Sequence, residues 1–128
     1  MSYSREKGLE IFQDVYGEAA ADGLKAYIVS DDFGVEYAKW STDFAFGTVW
    51  ASDGIERKMR SCAVLGMMIA LRQSDEIRYH TKMGLANGLT RKEIEEILYS
   101  AVPYCGLPAA NVAKAAMKQA FSEMDAAE

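Results

Sequence analysis

His80 is the only histidine in the chain, and it lies mid-helix in the run Glu76-Ile77-Arg78-Tyr79-His80-Thr81-Lys82-Met83-Gly84. Imidazole is the one side chain whose unperturbed pKa lets it trade protons near neutrality, so a single copy among polar neighbours is a candidate general acid or base. A half-buried histidine that only donates to a backbone carbonyl is the structural alternative. Thiol chemistry has two candidates, Cys62 and Cys105. They lie far apart without C-x-x-C spacing, so neither a zinc site nor a local dithiol is written into the chain. Cys62 sits inside an apolar run and reads as core. Cys105, between Tyr104 and Gly106 at a helix end, is either a reactive thiol or a small buried hydrophobe. Trp40 and Trp50 read first as core or subunit contacts and second as surfaces on which a substrate stacks.

The elements that must position these groups are helical. The chain has 128 residues, half of them hydrophobic, which suits one domain burying about 65–70% of its unfolded surface without a disulfide. A net charge of −5, with bases interleaved among acids, argues against nucleic acid or an anionic membrane as the main partner. No stretch reaches the roughly 18 consecutive apolar residues of a spanning helix, and Met1 to Lys7 lacks an apolar secretory core, so a cytoplasmic location is expected.

Strand-type alternation is nowhere sustained, whereas helical periodicity runs nearly end to end, which predicts an all-α fold. A first helix is expected over 4–16, burying Leu9, Ile11, Phe12 and Val15, and a second over 18–29. After a turn at Ser30-Asp31-Asp32, a long helix is expected over 33–50. Asp53 and Glu56 have capping-box spacing ahead of a helix over 55–73, which from Cys62 to Leu71 is apolar on every side. Ser74 is expected to cap the helix that carries His80 and ends at Gly88. Thr90 and Glu93 form a second capping box, opening a helix to about Pro103, and Gly106-Leu107-Pro108 starts the last one, to about Met124. Its stripe is Val112, Ala116, Met117, Ala120, Phe121 and Met124. With no linker or repeat to split it, residues 1–128 read as one domain. Two apolar helices exceed what so small a globule covers, which predicts a homotrimer or homohexamer.

Several fragments carry a family resemblance: Lys7-Gly8-Leu9-Glu10-Ile11, Gly47-x-Val49-Trp50, Arg60-Ser61, the run from Leu85 to Ile94, and Tyr104-Cys105-Gly106-Leu107-Pro108-Ala109-Ala110. In order and spacing they resemble the carboxymuconolactone decarboxylase family, most nearly its γ-carboxymuconolactone decarboxylase branch. The resemblance implies an AhpD-like helical fold, trimeric or hexameric, with the site near a subunit boundary. The same superfamily holds alkylhydroperoxidases that use a C-x-x-C pair just ahead of the corresponding histidine. Here those places hold Gln73 and Glu76, so the thiolate and its resolving partner are missing.

The reaction the family name implies removes carbon dioxide from a carboxylated lactone, leaves a dienolate on the lactone carbonyl, and returns a proton to carbon. The lactone is its own electron sink, so no cofactor is called for. Under that resemblance His80 fits the proton donor, and Arg60 or Arg57 fits a carboxylate clamp because guanidinium binds carboxylate bidentately. Glu76 lies one turn before His80, where it would hold the imidazolium and raise its pKa, or stand as a solvated helix charge. Trp50, Tyr104 and Cys105 complete the implied substrate surround. One departure stands out: where the branch reads Cys-Trp-Gly-Glu-Val-Trp, this chain reads Ala45-Phe46-Gly47-Thr48-Val49-Trp50, with Thr48 in place of a carboxylate. Three functions are therefore carried forward: a cofactor-free decarboxylase, a thiol peroxidase relative working through Cys105, and a non-catalytic oligomeric binding protein.

Overall fold

The computed structural model describes residues 3–128; Met1 and Ser2, which open the amino-terminal stretch discussed above, lie outside the described residues. Among the described residues the chain forms α-helices and one π-helical segment and no strand, in agreement with the all-α expectation. It divides into two compact units, Met1–Ile55 and Glu56–Glu128.

In the first unit α1 (Tyr3–Tyr16) is followed by α2 (Glu18–Ile28) and by α3 (Val35–Trp40), which runs directly into a π-helical segment, Ser41–Val49. Periodicity predicts one α-helix over 33–50; only six of those residues are α-helical before the turn widens. The wider turn bonds each N–H to the carbonyl five residues back, as Trp50 N–H does to Ala45 at 2.9 Å, and Thr48 Oγ1 donates to the Asp43 carbonyl at 2.9 Å. Close approach accompanies this geometry. A methyl group on Gly47 would fall on the carbonyl of Ser4, and one on Gly8 would fall on the carbonyl of Thr42. The π-helical segment and α1 therefore meet backbone to backbone, at the two positions that have no side chain. Arg5 grips Asp43 with two bonds of 2.7 Å, the bidentate geometry that makes guanidinium–carboxylate pairs strong. Phe12, Tyr16 and Phe46 pack ring to ring, with Phe12 4.7 Å from Tyr16 and 5.5 Å from Phe46 between centroids. Leu9 and Ile11 are buried, as the spacing predicts.

The second unit comprises α4 (Arg57–Ala70), α5 (Ser74–Ala86), α6 (Arg91–Cys105) and α7 (Leu107–Ala127). Leu65, Ile69, Ile77 and Ile94 are fully buried at its centre, each worth about 1.5–3 kcal/mol of burial. Small residues on α7, Ala109, Ala113, Ala116 and Ala120, let that helix approach closely. Of its expected stripe, Ala116, Met117 and Ala120 are buried and Val112, Phe121 and Met124 half-buried.

Several local expectations are corrected. The helix predicted to be apolar on every side buries only Ser61, Leu65 and Ile69; Met67 and Leu71 are 58% and 62% exposed. Its neighbours α5, α6 and α7 cover one face of α4. Cys62 lies at the edge of that face and is exposed, so it is not core. The Asp53 capping box does not form, because α4 begins at Arg57 and Glu56 itself occupies the N-cap without a side-chain bond. Nor does Ser74 cap α5; it is the first helical residue, after Gln73. The Thr90 box does form: Thr90 Oγ1 accepts the Glu93 N–H and Glu93 Oε1 accepts the Thr90 N–H, both at 3.0 Å. Gly88 takes the left-handed conformation, φ 105°, after α5. α6 continues through Pro103 to Cys105, since proline forfeits only its own N–H and the Gly106 N–H still reaches the Val102 carbonyl at 3.2 Å.

Candidate active site

The buried side of α5 is set by Ile77, Thr81 and Gly84, the i, i+4, i+7 spacing of one helix face. Thr81 directs its hydroxyl back to the Ile77 carbonyl at 2.7 Å, so this polar group needs no other partner in the core. His80 is one position off that face. Its side chain retains 17% exposure, and its Nδ1 is shut away from solvent. Glu76, one turn earlier and half exposed, brings Oε2 to 3.8 Å from His80 Nε2. That is an ion-pair distance and too long for a hydrogen bond.

Burial is the larger influence on the imidazole and pushes its pKa below the usual 6.5, while Glu76 raises it only in part. Glu76 does raise the histidine pKa, as one of its two readings expects, but desolvation outweighs it. A carboxylate that is mostly solvated and not hydrogen-bonded screens poorly against desolvation. At neutral pH the resting imidazole is uncharged.

Arg57 and Arg60 lie in the first turns of α4, which packs on α5. Both are half-buried, and Arg60 Nε is closed off from solvent, so neither belongs to a fully solvated face. The residue after Arg60, Ser61, is buried and accepts a hydrogen bond from Asn87 Nδ2 at 3.0 Å. This bond ties the end of the histidine helix to the start of the arginine helix. Sequence reasoning quoted both residues within family-like fragments without pairing them. The signal was a lone amide just before the glycine that ends α5, which spacing alone could not match to a serine 26 positions earlier.

The remaining expected site residues separate. Tyr104, at the end of α6, is 91% exposed. Cys105 is half-buried and packs against the core. Gln73 and Glu76, at the places of the superfamily's redox cysteines, are both exposed. Cys62 opens into a groove of about 400 Å³ between α4 and α6, beside Lys58, Met59 and Ile97. Trp50 belongs to the first unit, where it is 6% exposed, and Thr48 is exposed there. Among the described residues no group of three His, Cys, Asp or Glu side chains is arranged to hold a metal ion. No helix among them is long and apolar enough to cross a membrane.

What the second unit brings together is one half-buried imidazole on α5 and, on the helix packed against it, two half-buried guanidinium groups. Residue types of this kind suit acid–base chemistry on a small charged molecule. Comparison with known sequences narrows the class. Residues 36–119 match the model of the carboxymuconolactone decarboxylase family, and the chain belongs to that family. It is 30% identical over 119 residues to 4-carboxymuconolactone decarboxylase of Acinetobacter baylyi, covering 93% of this chain and 87% of that one. It is 32% identical over 120 residues to nitrosuccinic acid decarboxylase of Metarhizium robertsii, covering 93% of this chain and 82% of that one.

Proposed function

We propose that this chain is a cofactor-free decarboxylase acting on a small carboxylated lactone of the 4-carboxymuconolactone type, with His80 delivering the proton that replaces carbon dioxide. The observation that carries this reading is the setting of His80: half-buried, charge-neutral at rest, beside Glu76, on a helix packed against the one bearing Arg57 and Arg60. The names of the two relatives support the substrate class. A carboxymuconolactone and a nitrosuccinic acid each carry carboxylates together with a group, lactone or nitro, able to take up the electron pair that departing carbon dioxide leaves behind. A protein serving such a substrate must bind carboxylate, stabilise the delocalised anion and supply one proton.

Arg60, with Arg57, holds the retained carboxylate; the approaching negative charge draws a proton onto His80, and Glu76 helps to keep it there. Carbon dioxide leaves, the electron pair passes onto the lactone carbonyl, and His80 protonates the resulting carbanion before taking a proton back from water. Residues 1–128 act as one domain in this reading, since the family match runs across the boundary between the two units. The working form is a homotrimer or homohexamer, supported by side chains such as Met67, Leu71, Tyr104 and Leu107 that one copy leaves exposed. Thr48 stands where the decarboxylase branch has a carboxylate, so in this chain the proton chemistry is concentrated on α5.

Loss of carboxymuconolactone absorbance tests the reading. His80→Gln keeps a donor of similar reach but cannot titrate, and turnover is expected to fall at least about a hundredfold in a folded oligomer. With His80 required in its protonated form, kcat/KM falls tenfold per pH unit above a pKa lying under 6.5. Cys62→Ala with Cys105→Ser leaves turnover largely intact. Wild-type turnover in His80→Gln would sink the assignment, and peroxide turnover lost in the double cysteine variant would move the protein to the peroxidase side of its superfamily. Sedimentation as a monomer at micromolar concentration would remove the oligomer.

A further inference from the structure

Away from that site, α6 and α7 enclose a cleft of about 580 Å³ within the second unit, in the size range of small-molecule sites. Its floor is apolar, with Ile94 and Met117 buried and Leu98 and Phe121 half-buried. Four cations, Arg91, Lys92, Lys114 and Lys118, stand on its rim together with Glu95. Arg91 and Lys92 are already engaged, Arg91 with Asp125 at 2.5 Å and Lys92 with Glu95 at 2.9 Å.

Lys114 and Lys118 differ. They stand one turn apart on the same side of α7, and among the described residues no carboxylate pairs with either. Like charges so placed repel in the empty cleft, and an anion between them would relieve the repulsion. Two aromatic rings, Tyr99 and Phe121, line the cleft beside these cations. The Arg91 guanidinium carbon lies 4.7 Å from the centre of the Phe121 ring, and Lys92 Nζ 6.0 Å from that of Tyr99. Each ring thus already borders a cation.

We infer that this cleft is a second small-molecule site, for an aromatic carboxylate whose planar body lies on Leu98, Met117 and Phe121 and whose carboxylate sits between Lys114 and Lys118. An acyl carboxylate shares the head group but not the flat body, so the two sources of the same charge are separable. The proposal does not depend on the decarboxylase reading.

Calorimetric titration of the assembled wild-type protein with 1-naphthoate tests it, with decanoate in a parallel arm. One site per chain is expected, with naphthoate binding more tightly than decanoate. Affinity is expected to drop at least about tenfold in Lys114→Glu with Lys118→Glu, both exposed positions on α7, and to weaken in about 0.5 M salt. The site should survive unchanged in His80→Gln. No saturable binding, or equal affinity in the double lysine variant, would overturn the site. Loss of binding in His80→Gln would place the ligand in the active site instead, and tighter binding of decanoate would overturn the aromatic class. A cleft already filled by a neighbouring copy would show as no binding to the oligomer, which also overturns the proposal.

Discussion

The two units of this protein solve the same packing problem by opposite means. In the first, α1 and the π-helical segment come together where side chains are missing: Gly8 and Gly47 let one backbone touch the carbonyls of the other, and aromatic rings close the flank. In the second, branched side chains fill the space, with Leu65, Ile69, Ile77 and Ile94 fully buried between four helices. The first arrangement tolerates almost no added volume. The second has neighbours that can shift, because what fills it is side chain rather than backbone.

Adding one methyl group in each unit breaks this comparison most directly. Gly47→Ala would drive a Cβ into the Ser4 carbonyl, and neither backbone can withdraw without opening the α1 contact. A loss above about 3 kcal/mol is expected, the upper range for overpacking. Gly84→Ala in α5 meets only the end of the Leu89 side chain, at 2.9 Å. A leucine methyl can rotate away, so the loss should stay under about 1.5 kcal/mol, and denaturant midpoints of the two variants decide the matter. Similar losses at both positions would mean the units are not packed on different principles.

Helix starts give a second contrast, of smaller size. Thr90→Ala removes a formed capping box and is expected to cost about 1 kcal/mol, whereas Asp53→Ala touches a box that never forms and should stay within about 0.5 kcal/mol. Gly66→Ala in α4 meets nothing within 4 Å, and is expected to raise stability by up to about 1 kcal/mol through helix propensity. A Tm that falls instead would show that another copy lies against that face.

The histidine adds a pH dependence that belongs to the second unit alone. Burial holds the folded pKa of His80 below 6.5, so the unfolded chain binds more protons in the window just beneath that value. Stability is therefore complete above about pH 6.5 and is lost as pH falls through the folded pKa. Carboxylates lowered by their ion pairs, such as Glu123 by Lys82 and Arg78 and Asp43 by Arg5, are lost only at more acidic pH. His80→Gln should flatten the stability curve just below pH 6.5 and leave the acid limb in place. An unchanged curve would show that another group titrates there.

Helix existence was readable from the sequence because periodicity averages over many residues, and the Thr90 box because both of its partners are local. What escaped depended on distant partners. The Asp53 spacing matched a capping box as well as the Thr90 spacing did, yet α4 starts four residues past Asp53, at Arg57, leaving Glu56 at the N-cap instead of at the third helical residue. Cys62 was misplaced because an apolar run says nothing about which of its sides a four-helix unit will cover. Of the site, His80 and Glu76 were legible as an i, i+4 pair, but the balance between burial and charge was not, since it depends on how deeply α5 is set. The Asn87–Ser61 bond spans 26 residues and has no local signature.

The π-helical stretch bears on how this chain can change in length. A π turn is an α-helical turn with a residue to spare, so loss of one residue within 41–49 has an ordinary helix ready to receive it. Such a deletion is absorbed by rewinding a π turn to an α turn and need not break the helix or create a loop. Because each turn still closes once, the side chains downstream, through Val49 to the buried Trp50, keep their directions. What the deletion disturbs is local, the close approach of Gly47 to the Ser4 carbonyl.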